Sequence, residues 1–285
     1  MMKVLNVNGL LNPKIGGGTA ERTIQMSKYL ADCNVDCSIL TIDADITNEI
    51  YNYLYKVKLI ALPYLTKRFY IPIFNPIKIS SIVKGVDIVH LMGHWTILNT
   101  IVYIFIKWHG KPYVVCPAGA LKIFGRSQNL KILYNYVIGK RLINHASKLI
   151  AITADEQNYY LSKSIDRESV TLIPNGIEVR DSYKDYDSEF GRQFELEGKK
   201  YILYVGRLNY IKGIDLLINS FCQVAEEFSE YTLVIAGTDE GMLVDLQKVV
   251  KSHNLVNRVK FIGFIDGMYK DQAYRSAKLV VIPSR

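Results

Sequence analysis

The sequence has few cysteines and no long apolar run, and its first half has almost no acid. Four cysteines, Cys33, Cys37, Cys116 and Cys222, are scattered over 285 residues. No pair has C-x-x-C spacing, which argues against a zinc or redox motif and for free thiols in a reducing compartment. Cys33 and Cys37 stand four apart, but the segment between them reads as a helix end and a turn. The start, Met-Met-Lys-Val-Leu-Asn-Val, lacks the basic region and cleavage site of a secretory signal and reads as a strand. The longest apolar stretch, Ile97 to Ile106, is broken by Asn99 and Thr100. It is too short to span a bilayer and suits a buried helix.

Acid is missing where base is plentiful. Residues 50–154 hold 14 Lys/Arg and a single acid, Asp87. The formal charge of +8 therefore sits in the first half, which is also rich in aromatics. A basic, aromatic-rich face suits an anionic membrane surface or a lipid-diphosphate-linked acceptor, and a merely solvated basic face stays open beside it. No nucleic-acid-binding signature accompanies the charge, so no nucleic-acid partner is expected.

What is present is alternation of strand and helix patterns. Strands are expected at Met2–Val7, Val35–Ile42, Asp87–Met92, Tyr113–Cys116, Lys148–Ile152 and Val170–Ile173. Helices are expected at Ala20–Ala31, 97–108, Ser127–Ala146 and Asp155–Ser162. In Ser127–Ala146 the apolar positions Leu130, Leu133, Tyr134, Val137, Ile138 and Leu142 have helical spacing. After the turn Pro174-Asn175-Gly176 and a polar stretch, the alternation restarts. Strands follow at Tyr201–Val205, Thr232–Ala236, Val259–Phe261 and Leu279–Ile282, with helices at Ile214–Phe228, Leu243–His253 and Asp271–Ala277. Such alternation predicts α/β architecture with parallel sheets. We read residues 1–176 as one Rossmann-like domain, 177–199 as a linker and 200–285 as a second. The second run ends on a strand with no covering helix, so that domain is expected to be incomplete and its last strands poorly covered.

Five segments fall where strands give way to loops. Gly16, Gly17 and Gly18 let backbone approach a ligand ahead of a helix; a plain turn fits equally well. Gly206-Arg207-Leu208 through Lys212-Gly213 follows a strand with two cations and a helix start, the chemistry of a pyrophosphate cradle. Gly237 and Thr238 form a tight turn at the next strand end, where a binding role and a plain turn fit equally well. Gly263 and Phe264 follow a strand whose exit could hold a planar base; a plain core strand fits at least as well. His90 and His94 flank a strand beside Trp95, and a structural role for them stays open.

Taken together these words resemble the family 4 retaining glycosyltransferases of the GT-B fold. The matching segments are Ile173-Pro174-Asn175-Gly176-Ile177, Gly206-Arg207-Leu208 with Lys212-Gly213, Ala236-Gly237, Val259 to Gly263, Ala277 and Ile282-Pro283-Ser284. In the first half they are the glycine loop at 16–18, His90 with Gly93 and Trp95, and Pro117 to Leu121. The resemblance implies transfer of a hexose, with retention, from a nucleoside diphosphate sugar to a hydroxyl of a glycan or lipid-linked acceptor. It implies synthesis of cell-surface polysaccharide or glycolipid in the cytoplasm, at the inner face of the membrane. Arg207 and Lys212 would grip the diphosphate. Gly16, Gly17 and Gly18 would lie near the transferred sugar. The loops after Gly237 and Gly263, with Thr238 and Phe264, would contact the nucleoside. His90, His94, Trp95, Ala118 and Gly119 would lie on the acceptor side, with His94 as a catalytic candidate. No metal and no cofactor beyond the co-substrate is implied.

Two departures accompany the match. The family places two glutamates eight residues apart after the Pro-Ser segment, and this sequence ends at Arg285. Many members also carry His or Arg where Ala118 stands, and His where Met92 stands. A nucleotide-sugar epimerase of the same layout, or a fragment that binds sugar nucleotide without reacting, are the alternatives.

Overall fold

The computed structural model describes residues 1–123, 127–176 and 187–285. The chain forms two compact units, Met1–Glu178 and Val179–Arg285.

The first unit contains β1 (Lys3–Val7), α1 (Pro13–Asp32), β2 (Asp36–Ile42), α2 (Asn48–Tyr53), β3 (Lys58–Leu62) and α3 (Pro76–Lys84). It continues with β4 (Ile88–Met92), α4 (Ile97–His109), β5 (Tyr113–Cys116), α5 (Gln128–Tyr134) and α6 (Lys140–Asn144). Last come β6 (Lys148–Ala151), α7 (Ala154–Ser162) and β7 (Val170–Leu172). The seven strands form one parallel sheet in the order β3-β2-β1-β4-β5-β6-β7. The order reverses between β1 and β4, and open α/β sheets bind ligands outside the strand ends at such a point.

Alternation along the strands fills both faces of this sheet. Leu5 and Val7 of β1 and Leu40 and Ile42 of β2 join one core with Val102 and Ile106 of α4. Val4, Cys37 and Ile39 join the opposite core with Leu11 and Ile24. Capping fixes the helix starts. Thr96 accepts from Asn99 N to open α4, Asn75 accepts from Ile77 N before Pro76 of α3, and Thr153 accepts from Glu156 N at α7. Gly110 in the left-handed region closes α4.

The second unit contains α8 (Asp187–Gln193), β8 (Lys200–Val205), α9 (Ile214–Val224), β9 (Tyr231–Ala236) and α10 (Leu243–Ser252). Then follow β10 (Val259–Gly263), α11 (Gly267–Ser276) and β11 (Leu279–Val280). Its parallel sheet has the order β10-β9-β8-β11, so the reversal lies between β8 and β11. Leu233 and Ile235 face a core with Leu217 and Phe221 of α9, while Val234 and Ala236 face one with Phe190 and Ala273. Both sheets are parallel and Rossmann-like, as the alternation predicts.

Several local expectations need correction. The glycine segment is not a loop before a helix: α1 starts at Pro13, capped by Asn12, and kinks at Gly17 (φ 60°, ψ −144°). The helix reaches upstream because Pro13 needs no amide partner at that position. The segment 43–86 carries α2, β3 and α3, elements too short to announce themselves by periodicity. Ser127–Ala146 is helical in three parts, with a π-turn, Asn135–Gly139, between α5 and α6. Its stripe is not all buried: Leu142 is, whereas Leu130, Leu133 and Val137 are exposed. The segment 177–199 is not all linker. Residues 177–186 lie outside the described residues, but Phe190 of α8 is buried against Tyr201, and Phe190 N donates to Gln272 Oε1 at 2.9 Å. Lys260 Nζ further ties this segment down by donating to Phe194 O and Glu195 Oε2, both at 2.8 Å. Leu279 and Val280 of β11 are exposed.

Candidate functional site

In the second unit, β8, β9 and β10 deliver three glycines to one rim. Gly237 N donates to Gly263 O at 2.7 Å, and Gly206 N donates to Ala236 O at 2.9 Å. A Cβ on Gly237 would lie 1.8 Å from Gly206 O. Only glycine permits the two strand exits to approach this closely. Leu208 N donates to Thr238 O at 2.8 Å, so the loops bearing Arg207 and Thr238 are laced together. Phe264 follows on the same rim, partly exposed.

The cation loop is built from local hydrogen bonds. Asn209 Oδ1 accepts from Lys212 N at 3.1 Å and closes a single 3₁₀ turn, Tyr210–Lys212, directly before α9. Tyr204 OH, buried under the loop, donates to Arg207 O at 2.9 Å. Burial raises the Tyr204 phenol to about 12, so it remains a donor across physiological pH. Arg207 Nη1 pairs with Glu240 Oε1 at 2.7 Å, and Asn209 Nδ2 donates to Glu240 Oε2 at 2.7 Å. Glu240 is a partner that sequence reasoning missed, because a surface glutamate has no motif of its own.

A second missed feature lies across the switch point. Arg285 grips Asp215 with both guanidinium nitrogens, at 2.9 and 2.6 Å, and its plane covers the Tyr210 ring at 3.9 Å. Arg285 N also donates to Ile211 O at 2.9 Å. The segment after β11 thus braces the loop that carries Lys212. The Asp215 carboxyl is held below its usual range, chiefly by this hydrogen bond.

In the first unit the histidines part company. His90 was expected on the rim, but it sits inside β4, in register with Asn6 of β1, and is buried. Asn6 Nδ2 donates to Ser27 Oγ at 2.9 Å, which leaves Asn6 Oδ1 to accept from His90 Nδ1 at 3.2 Å. His90 Nε2 is buried without a partner. Burial, and secondarily the Arg22 charge, pushes the imidazole down to about 4. His90 is therefore a neutral interior residue at physiological pH.

His94 lies just past the strand end and is also buried. Its ring meets Trp95 and Tyr134 edge-on, at centroid distances of 4.5 and 5.3 Å. His94 Nε2 bonds Asn135 Oδ1 at 2.9 Å, and burial lowers its pKa. Asn135 opens the π-turn, an irregularity frequent at functional sites. Trp95 Nε1 donates to Ala120 O at 2.5 Å. Ala118 and Gly119 both adopt positive φ, and Gly119 N donates to Glu156 Oε1 at 2.5 Å. Glu156 also accepts from Ile152 N at 2.8 Å and from Tyr160 OH. This buried carboxylate, a further residue absent from the sequence reading, fixes the loop after β5. In α1, Gly16 packs against Leu10 O and Ala20 and has no room for a Cβ, while Gly17 and Gly18 face open space. The three glycines therefore divide into one packing position and two accessible ones.

The profile of Glycosyltransferase Family 4 matches residues 16–181, more than half of the chain, and that of Glycosyl transferases group 1 matches residues 185–285. The chain belongs to glycosyltransferase family 4. An uncharacterized glycosyltransferase of Methanocaldococcus jannaschii is 31% identical over 156 residues, covering 49% of this chain and 39% of that protein. Alpha-D-kanosaminyltransferase of Streptomyces kanamyceticus is 31% identical over 110 residues, covering 37% of this chain and 28% of its own. The matches thus span about a third of the length of these curated relatives. Among solved structures, Anabaena Alr3699/HepE in complex with UDP and glucose has a TM-score of 0.75 at 18% identity, over 100% of this chain and 74% of that one. That likeness establishes the shared GT-B architecture of this family 4 glycosyltransferase.

Proposed function

We propose that the protein transfers a hexose from a nucleoside diphosphate sugar to an acceptor hydroxyl, with retention and without a metal. The observation that carries this reading is the rim of the second unit. There, a glycine-permitted approach of Gly206 and Gly237 sets Arg207 and Lys212 beside the sheet's switch point. In the reaction the bond from the anomeric carbon to the β-phosphate oxygen breaks, and its electron pair stays on the diphosphate. The acceptor oxygen bonds the anomeric carbon and passes its proton to an oxygen of the departing diphosphate. Arg207, Lys212 and the adjacent backbone N–H groups stabilise the charge that builds on the leaving group. HepE, of the same architecture, was solved with UDP and glucose, and the kanosaminyltransferase is named as a sugar transferase. Both support a sugar nucleotide as partner. Thr238, Gly263 and Phe264 are assigned to the nucleoside, and Gly17 and Gly18 to the sugar.

On the acceptor side we assign Trp95, His94 and the Ala118-Gly119 loop. With Nε2 held by Asn135, the nitrogen left to His94 for chemistry is Nδ1, which has no partner. The acceptor is a glycan or lipid-linked sugar of a cell-surface polymer or glycolipid, met at the cytoplasmic face of a membrane.

Calorimetric titration with UDP, GDP, ADP and dTDP tests the donor half. One of them should bind, and Arg207→Ala should weaken that one. Failure of all four to bind at millimolar concentration would reject the assignment. The anomeric configuration of the product, read by NMR, tests retention. Incubation with sugar nucleotide alone separates a transferase from an epimerase, which converts it without acceptor.

A further inference from the structure

Apolar side chains on the helices following β4 and β5 lie in water rather than in the core. On α5 and the π-turn, Leu130, Leu133 and Val137 are each more than half exposed, and Tyr136 is 83% exposed. On α4, Ile97, Ile104 and Trp108 are exposed at helical spacing with the half-buried Ile101 between them, opposite the buried Leu98, Val102 and Ile106. Trp108 is 77% exposed. The two helices are neighbours: Thr100 Oγ1 donates to Tyr134 OH at 3.4 Å, and Tyr103 OH bonds His145 Nδ1 at 3.0 Å. Adjoining helices thus each present an apolar stripe to solvent, an arrangement monomeric surfaces rarely tolerate without a use.

The charge around the stripes indicates what covers them. From Ile88 to Ala154 the chain has eight Lys/Arg and no acidic residue. Lys140 and Arg141 are exposed at the end of the α5 stripe, and the exposed Lys107 adjoins Trp108. Lys131 lies over the Trp95 ring at 5.8 Å, so base and aromatic are interleaved. Aliphatic side chains bordered by Trp, Tyr and one sign of charge match the headgroup region of an anionic bilayer. No helix among the described residues is long and apolar enough to cross a membrane, so contact is with the surface.

We propose that the exposed face of α5 and the π-turn, continued by the Ile97–Trp108 stripe of α4, docks onto an anionic lipid surface. Leu133, Tyr136 and Val137 enter the headgroup layer, and Lys140 and Arg141 pair with lipid phosphates. The inference deepens the membrane-acceptor reading above and rests on it for the occupant. His94 and Trp95 contact Tyr134 of the same helix, so docking would bring the acceptor side of the first unit to the lipid.

The test is co-sedimentation with vesicles, which needs no donor and so fails or succeeds independently of nucleotide binding. The protein should sediment with vesicles of two parts phosphatidylcholine to one part phosphatidylglycerol. It should bind pure phosphatidylcholine much more weakly, and added salt should reduce the anionic binding. Leu133→Asp with Val137→Asp should lower the anionic partition by about tenfold or more, and Lys140→Glu with Arg141→Glu by about tenfold. Tyr136→Ser, at a side chain almost wholly in water, is the milder variant should the double aspartate fail to fold. It should weaken binding several-fold with an unchanged urea midpoint. Equal binding to neutral and anionic vesicles, or folded variants that bind like the parent, would overturn the proposal. So would a dimer in solution that the same substitutions dissolve without any vesicle binding, which would assign the face to a second copy.

Discussion

Arg207 Nη1 lies 2.7 Å from Glu240 Oε1, while the other oxygen of that carboxylate is held by Asn209 Nδ2. Arg207 is half exposed and Glu240 somewhat less, so the ion pair is worth at most about 1 kcal/mol. A diphosphate offers the guanidinium a doubly charged, bidentate alternative. On the proposed donor assignment, Glu240 competes with the diphosphate for Arg207. Glu240→Gln should tighten nucleoside diphosphate binding by roughly three- to fivefold, up to the worth of such a pair. Calorimetry on both proteins reads this directly; weaker binding in the variant would mean that Glu240 aims the arginine rather than competing for it.

Arg207→Ala and Lys212→Ala remove cations assigned to the developing charge. Loss of one such group typically raises a barrier by about 3–4 kcal/mol. Each variant should lower transfer turnover by about a hundredfold or more. Turnover at the parent's rate in either one would remove that residue from the site.

His90 carries an acid-stability prediction. Its folded-state value of about 4 lies below the ordinary 6.5, because burial disfavours the imidazolium. Between those values the unfolded chain binds the extra proton and the folded protein does not. Stability should therefore be full above pH 6.5 and fall as pH drops toward 4, by an amount on the order of 3 kcal/mol from this group. His90→Asn, which cannot titrate, should flatten that part of a urea-midpoint profile measured from pH 7.5 to 5. His94 is shifted in the same direction by burial, so some acid sensitivity should persist in the variant.

Phe190 tests whether the polar segment before β8 belongs to the second unit. It is buried beside Phe194 and Tyr201 and covers a core with Val234 and Ala273. Phe190→Ala should cost the second unit about 3–5 kcal/mol, as large core truncations do. A denaturation midpoint unchanged by the substitution would return the segment to the status of a linker.

Much of this protein follows from its sequence alone. Alternating patterns dictate two parallel sheets, because strands that are apolar on both faces must be covered by helices on both sides. Placing Gly206-Arg207 and Gly237 at the ends of β8 and β9 needed only periodicity and the glycine signals. Tertiary structure decided the rest. His90 and His94 stand four apart and look alike in sequence. Strand register buries one against Asn6, and the loop packs the other between Trp95 and Tyr134. The contacts of Glu240 with Arg207, of Glu156 with Gly119 and of Asp215 with Arg285 join residues 33 to 70 positions apart, a range at which local pattern holds no information. The helical stripe of 127–146 is legible in the sequence, but its period cannot say which face finds a core. The π-turn and the packing of α4 settle that Leu142 is buried and that Leu133 and Val137 meet solvent, because helix exposure is a property of neighbours rather than of sequence spacing.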